Sequence, residues 1–416
     1  MKHTLRHCIL LMMLLAALIN GWARAGEKPY VILVSLDGFR WDYTQRGITP
    51  TFDKISREGV SALSLQPVFP SKTFPNHFSI ISGMYAEDHG ILMNSFLDPF
   101  SNQRYSMRKP AEVTNAKWYL GEAFWETAER QGIKTASFFW PGSEMTLSYR
   151  HPTYYKKFNS KIPYTARIDT ALSWLQLAAE KRPHFITLYF EEVDHMGHEY
   201  GPDSPQVNKA VRLVDSLMAT LFEGLKSIKM LSETNVVIVS DHGMVGVSKK
   251  RTVNIEKMIG GMNATIAGAG PVMMVNTVKE NIAKVVARLK KNAEHYHVYR
   301  RDREPDYYHF SRHPFISPIL VVADPGWYLI NNWQEAHPER FRIKGTHGYD
   351  NHVINMHGIF YAEGPAFRNG YRTGTLKNID IYPLLCKIFG IMPRRNVDGK
   401  LENIGFILKD SVAYDR

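Results

Sequence analysis

Short runs of apolar, mostly β-branched or aromatic residues alternate along the chain with segments of helical periodicity. The runs Tyr30–Leu36 (YVILVSL), Thr135–Trp140 (TASFFW), Phe185–Phe190 (FITLYF) and Val236–Ser240 (VVIVS) predict buried strands. Ala116–Gln131, Tyr164–Lys181 and Pro205–Lys226 predict helices between them. Ile359–Tyr361 and Ile379–Phe389 add a further strand and helix. This alternation predicts an α/β fold, a mainly parallel central sheet with helices on both faces. Between about 247 and 344 the pattern loosens into Gly-rich, basic and aromatic stretches, read as a cap-like insertion on one catalytic domain, 26–416.

The first 25 residues fall outside that pattern. Lys2 and Arg6 precede an apolar run from Cys8 to Ile19, and Ala23-Arg24-Ala25 forms a small-x-small cleavage site, as in a signal peptide. The expected location is therefore periplasmic or secreted, with no membrane span after cleavage. Cys386 is then the only cysteine left, so no disulfide forms within the chain. The formal charge of +11 suits anionic substrates. No Arg-rich helix or zinc-knuckle spacing points to a stable nucleic-acid partner. The oligomeric state is not legible from these residues.

Three strand runs end in acidic residues: YVILVSL in Asp37, FITLYF in EEVDHMGH, and VVIVS in Asp241-His242-Gly243. Ligands of open α/β sheets bind beyond the carboxyl ends of the strands, so these groups meet at one rim. A single Asp there is ordinarily a turn or cap residue, and the joint occurrence is what carries weight. Asp194 and His198, four apart, share one helical face and can chelate an ion, while His195 and Glu199 point elsewhere. Gly345-Thr346-His347-Gly348 supplies a third imidazole, with His352 and His357 as rivals that spacing alone does not separate. Mixed carboxylate and imidazole donors suit zinc. Thr73, in PSKTFPNHFS, stands before an apolar helix; it is either an N-cap or a nucleophile.

These ordered motifs, VILVSLDGFR, FPSKTFPNHFSIISGMY, HGILMNS, FFWPGSE, RPHFITLYFEEVDHMGHEYGP, VVIVSDHGM and GTHGYDN, resemble the nucleotide pyrophosphatase/phosphodiesterase family of the alkaline phosphatase superfamily. The resemblance implies an alkaline phosphatase-like fold and two Zn2+ per chain, one on Asp37, Asp241 and His242, the other on Asp194, His198 and His347. It favours His347 over its rivals and makes Thr73, bound to the first zinc, the nucleophile. Thr73 attacks phosphorus, the opposite ester or pyrophosphate group leaves, and water cleaves the phospho-threonyl intermediate. Asn94 matches the asparagine that donates to a nonbridging phosphate oxygen.

Sulfatases need C/S-x-P-x-R, which Ser71-Lys72-Thr73-Phe74-Pro75 lacks, and no serine nucleophile with an arginine clamp is evident. Phe74 beside the nucleophile and Phe158 from the long loop Glu144–Pro163 match the base-stacking positions of the nucleotide branch. The lysophospholipid branch lacks most of that loop. The expected function is hydrolysis of nucleotide phosphodiester and phosphoanhydride bonds: triphosphates to monophosphate plus pyrophosphate, dinucleotides and nucleotide sugars. The alternatives are a choline-phosphodiester or lysophospholipid phosphodiesterase and, in a different class, a noncatalytic metal-dependent binding protein.

Overall fold

A computed structural model describes residues 28–413 apart from Asn292, so the segment read as a signal peptide lies outside the described residues. In chain order the two larger sheets take β1 (Tyr30–Leu36), β2 (Val60–Ala62), β3 (Thr135–Phe138), β4 (Tyr154–Lys156), β5 (Phe185–Phe190), β6 (Thr234–Val239), β7 (Ala264–Ala267), β8 (Val272–Thr277), β9 (Tyr296–Arg300), β10 (Ile319–Ala323), β11 (Phe360–Glu363) and β12 (Tyr371–Thr373). The main sheet has the order β12-β2-β11-β6-β1-β5-β3-β4. All its neighbours pair in parallel except β11, which runs antiparallel to β6 and β2.

β1 is buried at all seven positions, as a central strand covered on both faces must be. Val31 and Leu33 enter one core with Phe78, Ile81 and Leu384. Ile32, Val34 and Leu36 enter the other with Ile168, Val211 and Met218. Helices therefore cover both faces. The register pairs Ser35 with Tyr189 of β5 and with Val239 of β6, so the three strands end level and deliver their following residues to one rim.

Residues 247–344 contain an all-antiparallel sheet in the order β7-β8-β10-β9, with its own core around Val275, Leu289 and Val321. The predicted helix 116–131 is instead a short turn, Ala116–Trp118, and a separate helix, Phe124–Arg130. Arg150 draws the carbonyls of Tyr119 and Gly121 outward (3.0 and 2.5 Å), and Glu126 caps the restart by accepting from the Ala123 N–H at 3.1 Å. The strand at 135 stops at Phe138 because Phe139 adopts φ 72°, which extended pairing does not tolerate. The helix from Tyr164 ends at Leu175, six residues before the predicted limit. Among the described residues, no helix is long and apolar enough to cross a membrane.

Candidate active site

Thr73 is the first residue of a ten-residue helix, α1 (Thr73–Ser82), and the extended Lys72 occupies the cap position before it. The threonine hydroxyl therefore does not cap; Oγ1 lies 3.2 Å from His242 Nε2, and the residue is buried. Asn94 Oδ1 accepts the Phe74 N–H at 3.0 Å, which ties Asn94 to the start of α1. The Asn94 NH2 makes no hydrogen bond among the described residues, so it is free to donate.

Asp37 leaves β1, Asp241 and His242 follow β6, and Asp194 and His198 lie on the helix after β5, α2 (Glu192–Tyr200). His242 Nε2 is 3.4 Å from Asp37 Oδ1 and 3.0 Å from Asp241 Oδ2. Asp194 Oδ1 is 3.5 Å from His198 Nε2 and 3.8 Å from His347 Nε2. Donor atoms of Asp37, Asp241 and His242 lie within 4.8 Å of one another, as do those of Asp194, His242 and His347. The His242 and His347 rings stack with centroids 3.5 Å apart, so the two groups of donors adjoin. Gly38 permits this closeness: at φ 66° it lies where a Cβ would come within 2.8 Å of the Asp194 backbone.

His347 reaches the rim because Gly345–Thr346 pairs with Val245–Gly246, just beyond Asp241-His242. Its rivals are engaged elsewhere. His357 uses both ring nitrogens, on Ser64 Oγ (2.9 Å) and the Asn351 carbonyl (3.0 Å), and His352 stacks on Tyr307. His195 pairs at the surface with Glu199.

The donor set fits a pair of cations. Asp37 Oδ1, Asp194 Oδ1 and Asp241 Oδ2 are buried without a hydrogen-bond partner, and these are the oxygens that face the imidazoles. Nδ1 of His198, His242 and His347 each meets a carbonyl, of Gly345, Gly243 and Ser71 (2.8–2.9 Å). A carbonyl only accepts, so Nδ1 carries the proton and each Nε2 offers a lone pair, the tautomer a metal ligand needs. Burial, then the charges of Asp241 and Asp194, pushes the Asp37 carboxyl well above the usual range. Burial, then His242, Lys72 and His198, pushes His347 well below the imidazole range and keeps it neutral.

A cleft of about 590 Å³ opens from Asp37, Thr73 and Asp194 and runs past Phe74, Phe139, Trp140, Phe158 and Tyr164. Phe74 is half-buried and packs edge-on against Tyr105, whereas Phe158 is 53% exposed. The Phe158 N–H donates to Glu144 Oε1 at 2.6 Å, and its ring meets Phe139 edge-on. No ring contact joins Phe74 to Phe158, which leaves the cleft open between the two walls.

Sequence reasoning overlooked three neighbours. Tyr189 donates to Asp37 Oδ2 at 2.5 Å. His77, one turn after Thr73, is wholly buried, with Nε2 2.8 Å from Ser35 Oγ and Nδ1 3.3 Å from Asp241 Oδ2. Lys72 donates to the His347 carbonyl at 2.6 Å, and burial pushes its ammonium down to about 8 against the pull of Asp194. The four-residue spacing of Thr73 and His77 was a usable signal; the partners of Tyr189 and Lys72 lie too far along the chain to leave one.

Residues 31–350 match the family described as type I phosphodiesterase / nucleotide pyrophosphatase. The chain is 37% identical over 398 residues to ectonucleotide pyrophosphatase/phosphodiesterase family member 1 of Homo sapiens, covering 93% of this chain and 42% of that protein. It thus spans less than half the length of that relative. It is 32% identical to human family member 5, covering 93% of this chain and 79% of the relative. It is 35% identical to the bis(5'-adenosyl)-triphosphatase enpp4 of Xenopus laevis, with 92% and 82% covered. The solved structure of murine family member 5 superposes with a TM-score of 0.85 at 31% identity, covering 92% of this chain and all of that one. A second structure of that protein, equally similar, is an inactive threonine-to-alanine variant in complex with AMP. Agreement of fold, motif order and matched length makes this chain a member of the type I phosphodiesterase / nucleotide pyrophosphatase family, a family of enzymes.

Proposed function

We propose that this chain hydrolyses phosphodiester and phosphoanhydride bonds of nucleotides, with Thr73 as nucleophile. The observation that carries this reading is the position of Thr73 Oγ1, 3.2 Å from His242 Nε2 and beside the unpartnered carboxylate oxygens. Asp37, Asp241 and His242 would hold one cation, and Asp194, His198 and His347 the other; two zinc ions suit these donors. When bound, such ions supply charge neutralisation for an ionised hydroxyl and for charge that develops on the phosphoryl oxygens.

The chain's own groups do the rest. The Thr73 hydroxyl releases its proton to solvent, its oxygen forms the new P–O bond, the P–O bond on the opposite side breaks, and the leaving group departs with its electron pair. Water then cleaves the phosphothreonine, restores the hydroxyl and releases the phosphoryl product. The free NH2 of Asn94 would orient a nonbridging oxygen. Phe74, at the nucleophile, and Phe158, on the opposite chain segment, would stack on the base. This holds the phosphorus next to the nucleoside at Thr73. The murine relative in complex with AMP supports a nucleoside monophosphate as the bound product.

A product-resolved assay against ATP, a dinucleotide, a nucleotide sugar and a choline phosphodiester tests the reading. AMP with pyrophosphate is the expected outcome from ATP. ADP with phosphate as the main product overturns the orientation, and turnover of the choline ester alone moves the chain to the lipid branch. Stoichiometric metal without turnover of any of the four supports the binding-protein reading.

A further inference from the structure

The loop that brings His347 to the site carries Gly345 and Gly348, the latter at φ 115°, at positions where close packing on Gly197 and Lys72 leaves no room for a Cβ. On one side the nucleophile loop grips it: Ser71 Oγ donates to the Tyr349 carbonyl at 2.8 Å, and His347 Nδ1 donates to the Ser71 carbonyl at 2.9 Å. On the other side the grip comes from the 247–344 region. Tyr307 and Tyr308, adjacent on one short turn, both donate to Asp350 Oδ2, at 2.8 and 3.0 Å. Asp350 Oδ1 accepts the His352 N–H at 2.8 Å, so both carboxylate oxygens are used. Tyr308 also stacks flat on Phe69, with centroids 3.9 Å apart, and Phe69 lies four residues before Thr73. One buried ring thus touches the strand of chain leading to the nucleophile, while its hydroxyl holds the loop that carries His347.

We propose that Tyr307 and Tyr308 are positioning residues for His347: their paired hydroxyls on Asp350 fix the His347 loop against the Thr73 loop, so that the second group of metal donors is preassembled. The 247–344 region then acts as a brace on the site. Two converging O–H donors on one charged oxygen define its position far better than water does, and charge-assisted bonds are the stronger kind. The brace works over the whole working pH range, because burial and Asp350 push the Tyr307 phenol up to about 12 and Tyr308 higher, keeping both as donors. This proposal rests on the reading that His347 holds a cation.

The test is a zinc titration of the metal-stripped full chain against a competing chelator, run beside steady-state ATP hydrolysis. Y307F/Y308F keeps both rings and deletes both hydroxyls. The affinity of one zinc equivalent is expected to fall about tenfold, the lower end of what losing a ligand's direct hydrogen-bond partner costs, since the hydroxyls reach His347 only through Asp350 and its loop. The other equivalent stays unchanged, and kcat falls while KM holds. Asp350→Asn, which retains an amide acceptor, should bind the second zinc more tightly than Asp350→Ala. Two unaltered equivalents with unaltered kcat in Y307F/Y308F overturn the proposal. If the double variant does not fold, Y308F alone is read in the same titration with the same two outcomes. A wild-type chain that binds two equivalents and hydrolyses ATP keeps the functional reading even when this one fails; a wild-type chain lacking the second equivalent removes both.

Discussion

At the scale of single residues, the site separates groups that look alike in sequence by what their remaining atoms do. Thr73 and a helix cap are chemically the same hydroxyl, but Lys72 holds the cap position and Thr73 Oγ1 faces His242. Thr73→Ala should therefore lower turnover by about 10⁴-fold or more, on the scale of losing an essential catalytic group. Thr73→Ser should retain partial activity, and both variants should bind metal as wild type does. Alanine-variant rates near wild type would end the nucleophile assignment. His347 and His357 are ten residues apart and both buried, yet only His347 has a free Nε2. On the proposed two-cation reading, metal analysis should show His347→Ala losing about one of two equivalents and His357→Ala losing neither, since only the first would remove a ligand.

Elements decide how firmly each wall of the cleft is held. Phe74 follows the first residue of α1 and has the rest of that helix behind it, whereas Phe158 sits on a loop and is half exposed. Phe74→Ala should cost nucleotide binding about 1–3 kcal/mol, the value of one base stack. Phe158→Ala should cost less, because its ring is half exposed and Tyr164 shares the cleft. A chromogenic phosphodiester without a base should be spared in both variants; equal losses in kcat/KM for the two substrates would reduce the rings to packing. The contact between the turn after β1 and α2 is tighter still. Gly38→Ala adds a Cβ against Asp194 in left-handed backbone, so stability should drop by about 1–3 kcal/mol. Metal affinity should weaken in the same variant, and a Tm and zinc affinity matching wild type would contradict this.

For the whole molecule, the rim concentrates like charge that the fold alone does not neutralise. Asp37, Asp194 and Asp241 each have a buried oxygen without a partner. Stripping metal should therefore lower Tm by several degrees, as loss of any ligand specific to the folded state does. Asp194→Asn separates the two contributions by sign. In the metal-stripped chain it removes a charge that helps push Asp37 upward, and Tm should rise. In the metal-loaded chain of the proposed reading it would remove a ligand, and Tm should fall. Thermal melts of both variants with and without chelator check this, and a change of one sign in both states would show that the carboxylates are not poised for cations.

Much of this was readable along the chain, for a local reason. Apolar runs such as YVILVSL fit only strands covered on both faces, and parallel strands in register end level, so Asp37, Asp194 and Asp241 had to meet at one rim. The α/β class, the acidic rim and Thr73 beside a helix start follow from spacings of a few residues. Other features depend on partners far away in sequence. The engagement of His357 is set by Ser64, the break at 119–123 by Arg150, and the support of Asp37 by Tyr189. The way Tyr307 and Tyr308 reach Asp350 across more than forty residues is of the same kind. Periodicity reports which face of an element is buried, because burial acts on each residue through its neighbours on that element. Which nitrogen or oxygen is left unpaired is decided only when separate elements pack, because a hydrogen bond needs both partners within about 3 Å.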